Sequence, residues 1–401
     1  MIQVGIPINP LIRSTMYIRK LIFKLFRPLS YLVGYLMPIE KNKIVVSSYA
    51  GKGYGDNPKY IVEALLEKNH SLKIIWLLTN TKNITGFPNM VECCEIKSLK
   101  GIYHLMTAKV WIDNVRKRIR LKRKQQFYLN TWHGFALKKI ERDAENSLSK
   151  SYVKVAKRDS NHIDLIVSCS KFMTSIYKNS FWYDGEIIET GAPRNDIILR
   201  NDLTIHRKVR DFFNIDYKKG IVLYAPTFRA NKSLDTYKLD YELLKKALED
   251  KFGKEFVVFV RLHPNISNKK LEINFDGETI FDVTQYSDMQ ELLCVSDVLI
   301  TDYSSVMFDF SLSKKPCFLF ATDIDDYKND RNFYFDFREL PFLLAESNDS
   351  LAENILDFNL KSYVTALDDF LNKVGIVTDA QASVKCAEII IERMYDSSCS
   401  E

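Results

Sequence analysis

The sequence predicts an α/β protein with two doubly wound, Rossmann-like domains whose parallel sheets face a common cleft. Three observations lead to this fold class. Short apolar, β-branched runs alternate with helix-like stretches from Lys43 onward, which is typical of buried parallel strands covered by helices on both faces. The alternation breaks after "GAPRNDIILRND" and then restarts. The length of 401 residues leaves room for two domains of about 150 to 200 residues each.

The first domain is placed at residues 41–200, after an N-terminal segment at 1–40. Its predicted strands are "KIVVSSY", "KIIWLLT", "VECCEI", "KVWIDNV", "QFYLNTW", "IDLIVSCS" and "EIIETG". The stretches "NPKYIVEALLEK" and "SKFMTSIYKNSF" carry the apolar spacing of helices.

The second domain is placed at residues 201–376, followed by a closing helix within 377–401. Its predicted strands are "IVLYAPTF", "EFVVFVRLHP", "TIFDVT", "DVLITDY" and "PCFLFA", with helices in "YELLKKALEDKF", "DMQELLC" and "SSVMFDFSL". In open sheets of this kind, ligands bind beyond the carboxyl ends of the strands. Polar residues that directly follow a strand are therefore the functional candidates.

Composition excludes several classes. The balance of 57 basic and 51 acidic residues gives a net charge of only +6, too little to predict nucleic-acid binding from bulk charge. The 7 cysteines fall in no C-x-x-C or Cys/His spacing, which indicates a reduced, cytoplasmic protein without structural zinc. The 14 glycines are about half the usual share, so a phosphate site here must use side chains and helix ends.

The N-terminal segment "LIRSTMYIRKLIFKLFRPLSYLVGYLMP" mixes aliphatic, aromatic and basic residues, with no acid before Glu40. It lacks the pattern of a cleavable signal. Its longest uncharged stretch, "PLSYLVGYLMPI", is shorter than the ~20 residues of a spanning helix. The segment therefore predicts an amphipathic helix in the membrane interface, with its cations toward anionic lipid. A helix packed on the protein body is the alternative.

Two early motifs are ambiguous. The stretch "SYAGKGYGDNPKYI" follows a strand and opens a helix, but its G-x-G-x-G spacing and the lack of an acid after the next strand argue against a dinucleotide site. The tract "NVRKRIRLKRKQQ" holds seven basic residues and no acid. It has no interleaved aromatic residue for base stacking, so it is interpreted as a solvated loop or as a second contact with anionic lipid.

The stretch "LNTWHGFALKKI" ends a predicted strand in a histidine and a glycine. His133 is the natural general base for an alcohol, because a neutral imidazole titrates near the pH at which a hydroxyl must lose its proton. Gly134 would permit close approach of a substrate. We expect Lys138 and Lys139 to start the next helix and, with its N-terminus, to neutralise phosphate oxygens. A histidine with only structural hydrogen bonds is the alternative.

The stretch "FVVFVRLHPN" places Arg261 and His263 two residues apart at another strand end. Side chains at i and i+2 of a strand point the same way, so both can address one ligand. Arginine offers a planar fork to phosphate oxygens, and histidine can stabilise or protonate a leaving phosphate. A structural salt bridge is the alternative.

The stretch "DVLITDYSSVMFDFSL" places polar residues where a strand gives way to a helix. Serine hydroxyls and free backbone N–H groups at a helix start can cradle an anion without a glycine loop, although either serine could simply cap the helix. The candidates here are Thr301, Asp302, Ser304 and Ser305.

Two further stretches add polar side chains to the facing edges of the sheets. Each is weak alone, and together they favour a site for a phosphorylated substrate. The stretch "LYAPTFR" contributes Pro226, Thr227 and Arg229, and "GAPRND", at the interdomain junction, contributes Arg194, Asn195 and Asp196.

The chain resembles the CDP-glycerol glycerophosphotransferases of teichoic-acid synthesis and their relatives in capsule assembly. The resemblance runs through "DNPKYI", "TWHG", "LKKI", "GAPRND", "YAPTFR", "RLHP", "ITDYSSVMFDF", "KPCFLF" and "DDYKNDR", in this order along residues 56–331. It implies a GT-B type architecture with the nucleotide donor held mainly by the C-terminal half. It also implies a peripheral enzyme at the cytoplasmic face of the bacterial membrane that acts on undecaprenyl-diphosphate-linked glycans.

The resemblance assigns the family's two catalytic histidines to His133 and His263, and its donor-phosphate cradle to Asp302, Ser304 and Ser305. Two positions depart from the family pattern. Phe135 stands where members usually have threonine, and a Pro-Gly pair is absent near "LPFLLAES". The first departure bears on the acceptor side, and the second on a C-terminal loop.

Residues and resemblance together predict formation of a phosphodiester. An acceptor hydroxyl deprotonated by His133 would attack the donor's β-phosphorus, and CMP would leave while His263, Arg261 and the serine-rich helix start take up the developing charge. This chemistry demands no metal cofactor, and the sequence leaves open whether Mg²⁺ accompanies the diphosphate. The implied partners are CDP-glycerol or CDP-ribitol, a lipid-linked glycan and an anionic membrane surface, with no nucleic acid.

Two rival functions remain at this stage. A glycosyltransferase of the same architecture could use a nucleotide sugar, for example a CMP-activated one. A membrane-bound scaffold could retain the fold without catalysis, although the presence of both histidines argues against it.

Overall fold

The protein contains two parallel sheets, one in each half of the chain. The computed structural model describes residues 25–81, 86–119, 121–227, 238–262, 273–324 and 332–395. In these ranges the first sheet has seven strands in the order β3-β2-β1-β4-β5-β6-β7, and the second has six in the order β10-β9-β8-β11-β12-β13. The predicted two-sheet α/β class is confirmed.

The first sheet is built from every strand predicted in the first half of the chain. Its central strand β4 is buried throughout and β1 is buried over its last four residues, and the two carry Val, Ile and Trp side chains, as expected for a sheet covered on both faces. The strands are β1 (Glu40–Val46), β2 (Lys73–Leu78), β3 (Val91–Glu95), β4 (Ala108–Asp113), β5 (Phe127–Asn130), β6 (Leu165–Ser168) and β7 (Glu186–Glu189).

The helices of the first half cover this sheet and lead to the second. Serines start two of them: the hydroxyls of Ser98 and Ser170 accept from the backbone N–H groups of Gly101 and Met173. The helices are α1 (25–36), α2 (Asp56–Lys68), α3 (Leu99–Thr107), α4 (Lys150–Ser160), α5 (Lys171–Ser180), α6 (Asp196–Leu199) and α7 (Leu203–Phe213), with 3-10 turns at Glu141–Ser147 and Pro193–Asn195.

The second sheet contains the five predicted strands and one more. The additional strand β13 is three residues long and pairs in parallel with β12. Its length gives too little alternation to be recognised in the sequence. The strands are β8 (Gly220–Ala225), β9 (Phe256–Val260), β10 (Ile280–Asp282), β11 (Val298–Thr301), β12 (Cys317–Phe320) and β13 (Leu343–Ala345).

The helices of the second half surround its sheet, and the last one returns to the first domain. The chain crosses back near Gly375, where the backbone N–H of Val377 donates to Cys169 O at 3.0 Å. The last helix then packs against α2. The helices are α8 (Tyr241–Phe252), α9 (Met289–Val295), α10 (Val306–Ser311), α11 (Asn348–Leu356), α12 (Leu360–Val374) and α13 (Ala382–Tyr395), with a 3-10 turn at Phe337–Glu339.

Helix α1 lies on the first domain through one narrow contact. Gly34 is buried, and a Cβ at this position would lie 2.7 Å from Cβ of Met106. Arg123 donates to the carbonyl oxygen of Met37 at 2.6 Å and so holds the end of the helix. Tyr31 is partly buried against the core, and the other apolar side chains of α1 face solvent, among them Leu29 and Leu32. In the described part of the chain, no helix has the length and hydropathy to cross a membrane.

Candidate active site

The candidate residues lie where strands of both sheets end at their carboxyl sides. His133 follows β5 by three residues, Arg261 follows β9 directly, and Asp302 follows β11 directly. Thr227 lies two residues after β8. Two predicted site residues, His263 and Arg229, lie outside the described residues. The structure therefore places the strand-end candidates at the edges where doubly wound sheets bind ligands.

His133 is held by the turn that follows β4. Its Nδ1 lies 2.7 Å from the backbone carbonyl oxygen of Asn114. The ring packs against Trp132, with centroids 4.3 Å apart, and meets the edge of Tyr49 at 5.6 Å. These contacts fix the orientation of the imidazole without using its second nitrogen.

The chemistry of its neighbour determines the tautomer of His133. A carbonyl oxygen only accepts, so Nδ1 carries the proton and Nε2 keeps its lone pair. Within the described residues Nε2 has no hydrogen-bond partner, and this atom is not fully buried. Burial lowers the pKa of His133, and the hydrogen bond to Asn114 only partly offsets this effect. The imidazole is thus a neutral, accessible base.

Gly134 lies at the contact between the two domains. Its φ of 139° is a conformation that side chains disfavour. A Cβ at this position would lie 2.8 Å from Nη2 of Arg194 and 3.4 Å from Oγ of Ser305. The close approach expected for a substrate is therefore made by a guanidinium of this chain, and the His133 turn lies against the serine-rich start of α10.

Arg194 is buried between two carboxylates from different domains. It donates from Nη1 to Asp56 at 2.5 Å and from Nη2 to Asp309 at 2.6 Å. Burial disfavours its charge, but Asp309 and Asp56 outweigh this and raise the pKa of Arg194. The hydroxyl of Tyr49 donates to Asp56 at 2.8 Å, so the same cluster reaches the ring beside His133.

The other two residues of the "GAPRND" motif also make internal contacts. Asn195 donates to Asp309 at 2.8 Å. The carboxylate of Asp196 accepts from the backbone N–H groups of Ala382 and Ser383, at 3.1 and 2.8 Å, at the start of α13. In this structure the predicted binding residues Arg194, Asn195 and Asp196 thus join the two domains and the last helix.

Ser304 and Ser305 lie half-buried at the start of α10. The hydroxyl of Ser305 makes no capping hydrogen bond to the helix, and that of Ser304 accepts from Val306 N–H only at 3.4 Å. Capping, the alternative reading of this motif, therefore occupies the hydroxyls weakly. Since α10 has only six residues, its N-terminal dipole is weak, and the two hydroxyls are the stronger attraction for an anion. Thr301 instead donates its hydroxyl to Ala225 O at 2.7 Å.

Asp302 holds the neighbouring strand end in place. Its carboxylate accepts from the backbone N–H of Thr227 at 2.9 and 3.0 Å and from the Thr227 hydroxyl at 2.5 Å. Pro226 precedes this contact and leads out of β8. The buried Asp302 carboxylate thus positions the Thr227 turn, and its negative charge disfavours direct contact with a phosphate.

Arg261 is anchored by one arm of its guanidinium. Nη1 donates to the carbonyl oxygens of Tyr286 at 2.8 Å and Val283 at 3.4 Å. Nη2 and Nε make no hydrogen bond within the described residues, and neither atom is fully buried. Burial lowers the pKa of Arg261, and the carboxylate of Asp288 opposes this shift. The side chain is thus fixed in place while part of its fork stays open to a ligand.

The expected helix start at Lys138 is wrong. The segment is extended, and Lys138 forms an isolated antiparallel bridge with Phe333. The backbone N–H of Lys139 donates to Asn332 O at 2.9 Å. No helix begins in this segment before the 3-10 turn at Glu141. Pairing with residues from the other domain overrides the local preference, so Lys138 and Lys139 do not stand at a helix N-terminus.

The interpretation of the basic tract as a solvated loop is only partly right. Arg116 is buried and pairs with Glu141 at 2.9 Å. Lys117 pairs with Asp113 at 2.6 Å. Arg118 and Lys124 are exposed. The first residues of the tract therefore belong to the interior of the first domain.

Sequence reasoning missed four residues that shape the site. Asn114 acts through its backbone carbonyl, which no side-chain motif reveals. Tyr49, Asp56 and Asp309 meet only because distant segments fold together. A signal for the carboxylates was available, because a buried arginine such as Arg194 requires counter-charges.

Phe135, the departure from the family pattern, lies in the interior of the protein. Its ring is buried and packs on Phe308 of α10 at 4.5 Å and on Phe172 of α5 at 5.1 Å. The substitution therefore belongs to an aromatic contact between the domains.

Comparisons with known proteins agree with this architecture. The family profile of "CDP-Glycerol:Poly(glycerophosphate) glycerophosphotransferase" matches residues 29–392. The teichoic acid glycerol-phosphate transferase of Staphylococcus aureus is 33% identical over 371 residues, which cover 88% of this chain and 93% of that protein. The teichoic acid poly(glycerol phosphate) polymerase of Staphylococcus epidermidis is 33% identical over 372 residues, covering 88% of this chain. This chain spans about half (51%) of that polymerase's length.

Solved structures show the same fold. The wall teichoic acid polymerase TagF superposes with a TM-score of 0.81 at 28% identity, covering 95% of this chain and 98% of that one. A variant of that polymerase soaked with CDPG gives the same TM-score at 27% identity over the same shares. The two-sheet architecture is thus of the GT-B type.

Proposed function

Because this chain belongs to the CDP-glycerol:poly(glycerophosphate) glycerophosphotransferase family, we propose that it transfers a polyol phosphate from a CDP-activated donor. Glycerol phosphate is the proposed unit, and ribitol phosphate is the alternative that the test below separates. The acceptor is a hydroxyl of a lipid-linked glycan or of a growing teichoic-acid or capsule polymer, and CMP is released. One observation carries this proposal: a neutral imidazole with a free Nε2 lies on the turn that meets the serine-rich strand end of the other domain.

His133 is the proposed general base. Its Nε2 accepts the proton of the acceptor hydroxyl as the oxygen attacks the β-phosphorus, which bears the polyol. A new P–O bond forms, and the bond to the bridging oxygen breaks, so CMP leaves with that electron pair. The resulting imidazolium is stabilised by the Asn114 carbonyl, which accepts from Nδ1.

The donor diphosphate is proposed to bind at the strand ends of the second sheet. Arg261 offers the open part of its fork, and Ser304 and Ser305 offer hydroxyls that are weakly used within the protein. His263, proposed as the second catalytic histidine, is expected at the same edge. Preorganised donors and positive charge are the main contribution that phosphoryl transfer needs from a protein.

The proposal requires no metal-bound step. In the described ranges, no cluster of three or more His, Cys, Asp or Glu side chains is arranged to hold a metal ion. Cationic side chains can neutralise the diphosphate, and Mg²⁺ carried by the donor would add to the same effect. Turnover with EDTA and with added Mg²⁺ measures this dependence.

A second part of the proposal concerns the membrane. Helix α1 exposes an apolar stripe, with Leu25, Leu29, Leu32 and Leu36 exposed to 68%, 52%, 56% and 75%. These residues recur at helical spacing on one side, while Gly34 is buried against the body. An apolar stripe with flanking cations is typical of helices that lie in the interface of anionic membranes. We therefore propose that the enzyme works at the cytoplasmic face of the bacterial cell membrane.

Product mass tests the reaction. The purified chain would be offered CDP-glycerol and CDP-ribitol separately, each with a synthetic lipid-linked glycan acceptor, and the products would be weighed by mass spectrometry. We expect the acceptor to gain glycerol-phosphate units with release of CMP, and the His133→Ala variant to give little product. In a parallel reaction with a CMP-activated sugar as donor, an acceptor that gains the sugar would identify a glycosyltransferase, and no turnover of any donor would favour the scaffold.

Vesicle flotation tests membrane contact. Leu29→Glu/Leu32→Glu should abolish binding to vesicles that contain phosphatidylglycerol, while the wild type floats with them. The matched control is Leu203→Glu/Leu360→Glu, which changes two leucines of the second domain with 64% and 55% exposure. Equal loss in both double variants would contradict a specific role for α1.

A further inference from the structure

A large cavity lies in the first domain, under helix α1. Its volume is about 610 Å³. Helix α1 contributes Arg27 and Tyr31 to its wall, and the rest comes from Leu77 of β2, from the segments that follow β1, β2, β3 and β4, and from α3. The cavity therefore lies at the carboxyl ends of the first sheet, the edge that also carries His133.

The wall of this cavity is strongly cationic. Six basic side chains and one acidic side chain line it. Two of the bases are neutralised, since Lys117 pairs with Asp113 and Arg116 with Glu141. In the described part of the chain, Lys52, Lys97 and Arg118 have neither an ion-pair partner nor a side-chain hydrogen bond. Such a surplus of positive charge in a concave site favours a multiply charged anion.

The cavity also has an apolar part, and it lies beneath the helix that carries the exposed leucine stripe. Leu77, Ile102, Leu105 and Ile119 form its apolar part. Tyr31 of α1 lines it, and the exposed leucine stripe lies on the opposite, outer side of the same helix. A ligand that fits both features has an anionic group and a long apolar chain.

The cavity wall and the imidazole of His133 are held by the same turns. Asp113 and Val115 line the cavity and flank Asn114, whose carbonyl oxygen binds Nδ1 of His133. Ala50 lines it as well and follows Tyr49, whose ring contacts that of His133. A molecule anchored in the cavity would extend its next part toward the base.

We propose that this cavity binds the diphosphate of a lipid-linked acceptor. The apolar chain lies along α1 in the membrane interface, the diphosphate contacts Lys52, Lys97 and Arg118, and the glycan reaches toward His133. This inference rests on the proposed transfer reaction for its acceptor, but binding of the lipid can be measured without catalysis.

Steady-state kinetics test the assignment. Lys52→Ala/Lys97→Ala should raise KM for the lipid-linked acceptor by roughly tenfold to a hundredfold, since two charged contacts are removed. KM for CDP-glycerol should stay unchanged, as should activity on a water-soluble glycan acceptor that lacks the lipid diphosphate. The control Lys150→Ala/Lys154→Ala removes the same charge from exposed positions of α4. An unchanged acceptor KM, or an equal loss with both acceptors, would overturn the proposal.

Flotation separates the lipid diphosphate from bulk anionic lipid. Phosphatidylcholine vesicles would carry either a polyprenyl diphosphate or phosphatidylglycerol at equal total charge. The wild type should prefer the diphosphate vesicles, and the Lys52/Lys97 double variant should lose this preference while the control keeps it. Equal binding of the wild type to both vesicles would assign the effect to general electrostatics and reject the site. Preferential binding without any donor turnover would support the site and reject the proposed reaction.

Discussion

Nδ1 of His133 lies 2.7 Å from the backbone carbonyl oxygen of Asn114. This contact sets the tautomer of the imidazole, because a carbonyl accepts only, and it leaves Nε2 as the basic nitrogen. The acceptor is a main-chain oxygen that directly follows β4. The sheet itself therefore determines the orientation of the imidazole.

Replacing His133 by alanine should lower kcat by about 10²- to 10⁴-fold, because proton abstraction from the acceptor hydroxyl would lose its base. Steady-state assays with CDP-glycerol and a lipid-linked acceptor measure this change. The control is His70→Ala, which alters an exposed histidine beyond the end of α2 and should leave kcat unaltered. Near wild-type turnover of the His133 variant would remove it from the mechanism.

The pH dependence of kcat/KM should reflect the protonation of His133. Burial lowers the pKa of His133, and catalysis needs the neutral ring, so the rate should fall only as pH drops through a value below the ordinary 6.5 of histidine. A pH–rate profile, together with an NMR titration of the ring, measures both quantities. An acidic inflection above 6.5 that disappears in the His133 variant would contradict the buried, neutral base.

Substitution of Gly134 by alanine should disrupt the junction between the domains. The added methyl group would meet Arg194 Nη2 at 2.8 Å in a backbone conformation with φ of 139°, so we expect activity to fall by roughly tenfold or more. Gly253→Ala is the matched control, since its φ is also positive, at 67°, but the site is open. The control should lose about 1 kcal/mol of stability and no activity. Equal behaviour of both variants would show that the close approach is unimportant.

Replacing Arg194 by methionine should lower the free energy of unfolding by about 3 to 5 kcal/mol. The variant leaves Asp56 and Asp309 buried without their shared counter-charge. Arg393→Met, which breaks a partly exposed pair with Glu186, should cost less than about 1 kcal/mol. Denaturant unfolding of the three proteins gives the comparison, and similar losses in both variants would argue against the buried cluster as a link between domains.

Asp159 should make the stability of the protein depend on pH. Burial raises the pKa of Asp159 to about 7, and the nearby Arg116 only partly opposes this. Between about pH 4 and 7 the folded state therefore binds a proton that the unfolded chain has released, so the free energy of unfolding falls as pH rises through this range. The Asp159→Asn variant should lose this pH dependence. Its free energy of unfolding should therefore rise by about 2 kcal/mol relative to that of the wild type as the pH goes from 5 to 8. Parallel stability curves for the two proteins would contradict the shifted pKa.

Much of the fold could be predicted from the sequence because strand and helix patterns are local. All twelve predicted strands occur, and within the described residues the three-residue β13 is the one strand that was not predicted. The strand-end positions of His133, Arg261 and Asp302 could be predicted for the same reason, since a strand end is visible in the apolar run before it. Lys138 was misplaced at a helix start because its pairing with Phe333 is not local.

The sequence by itself determined the α/β class, the two parallel sheets and the strand ends that carry polar residues, because apolar periodicity reports local conformation and burial. The tertiary structure alone decided that Arg194 joins Asp56 to Asp309, that Asn114 orients His133, and that a cationic cavity opens beneath α1. Each of these depends on which distant segments meet. A buried charge is stable only where the fold brings it a partner, and no spacing along the chain specifies that partner.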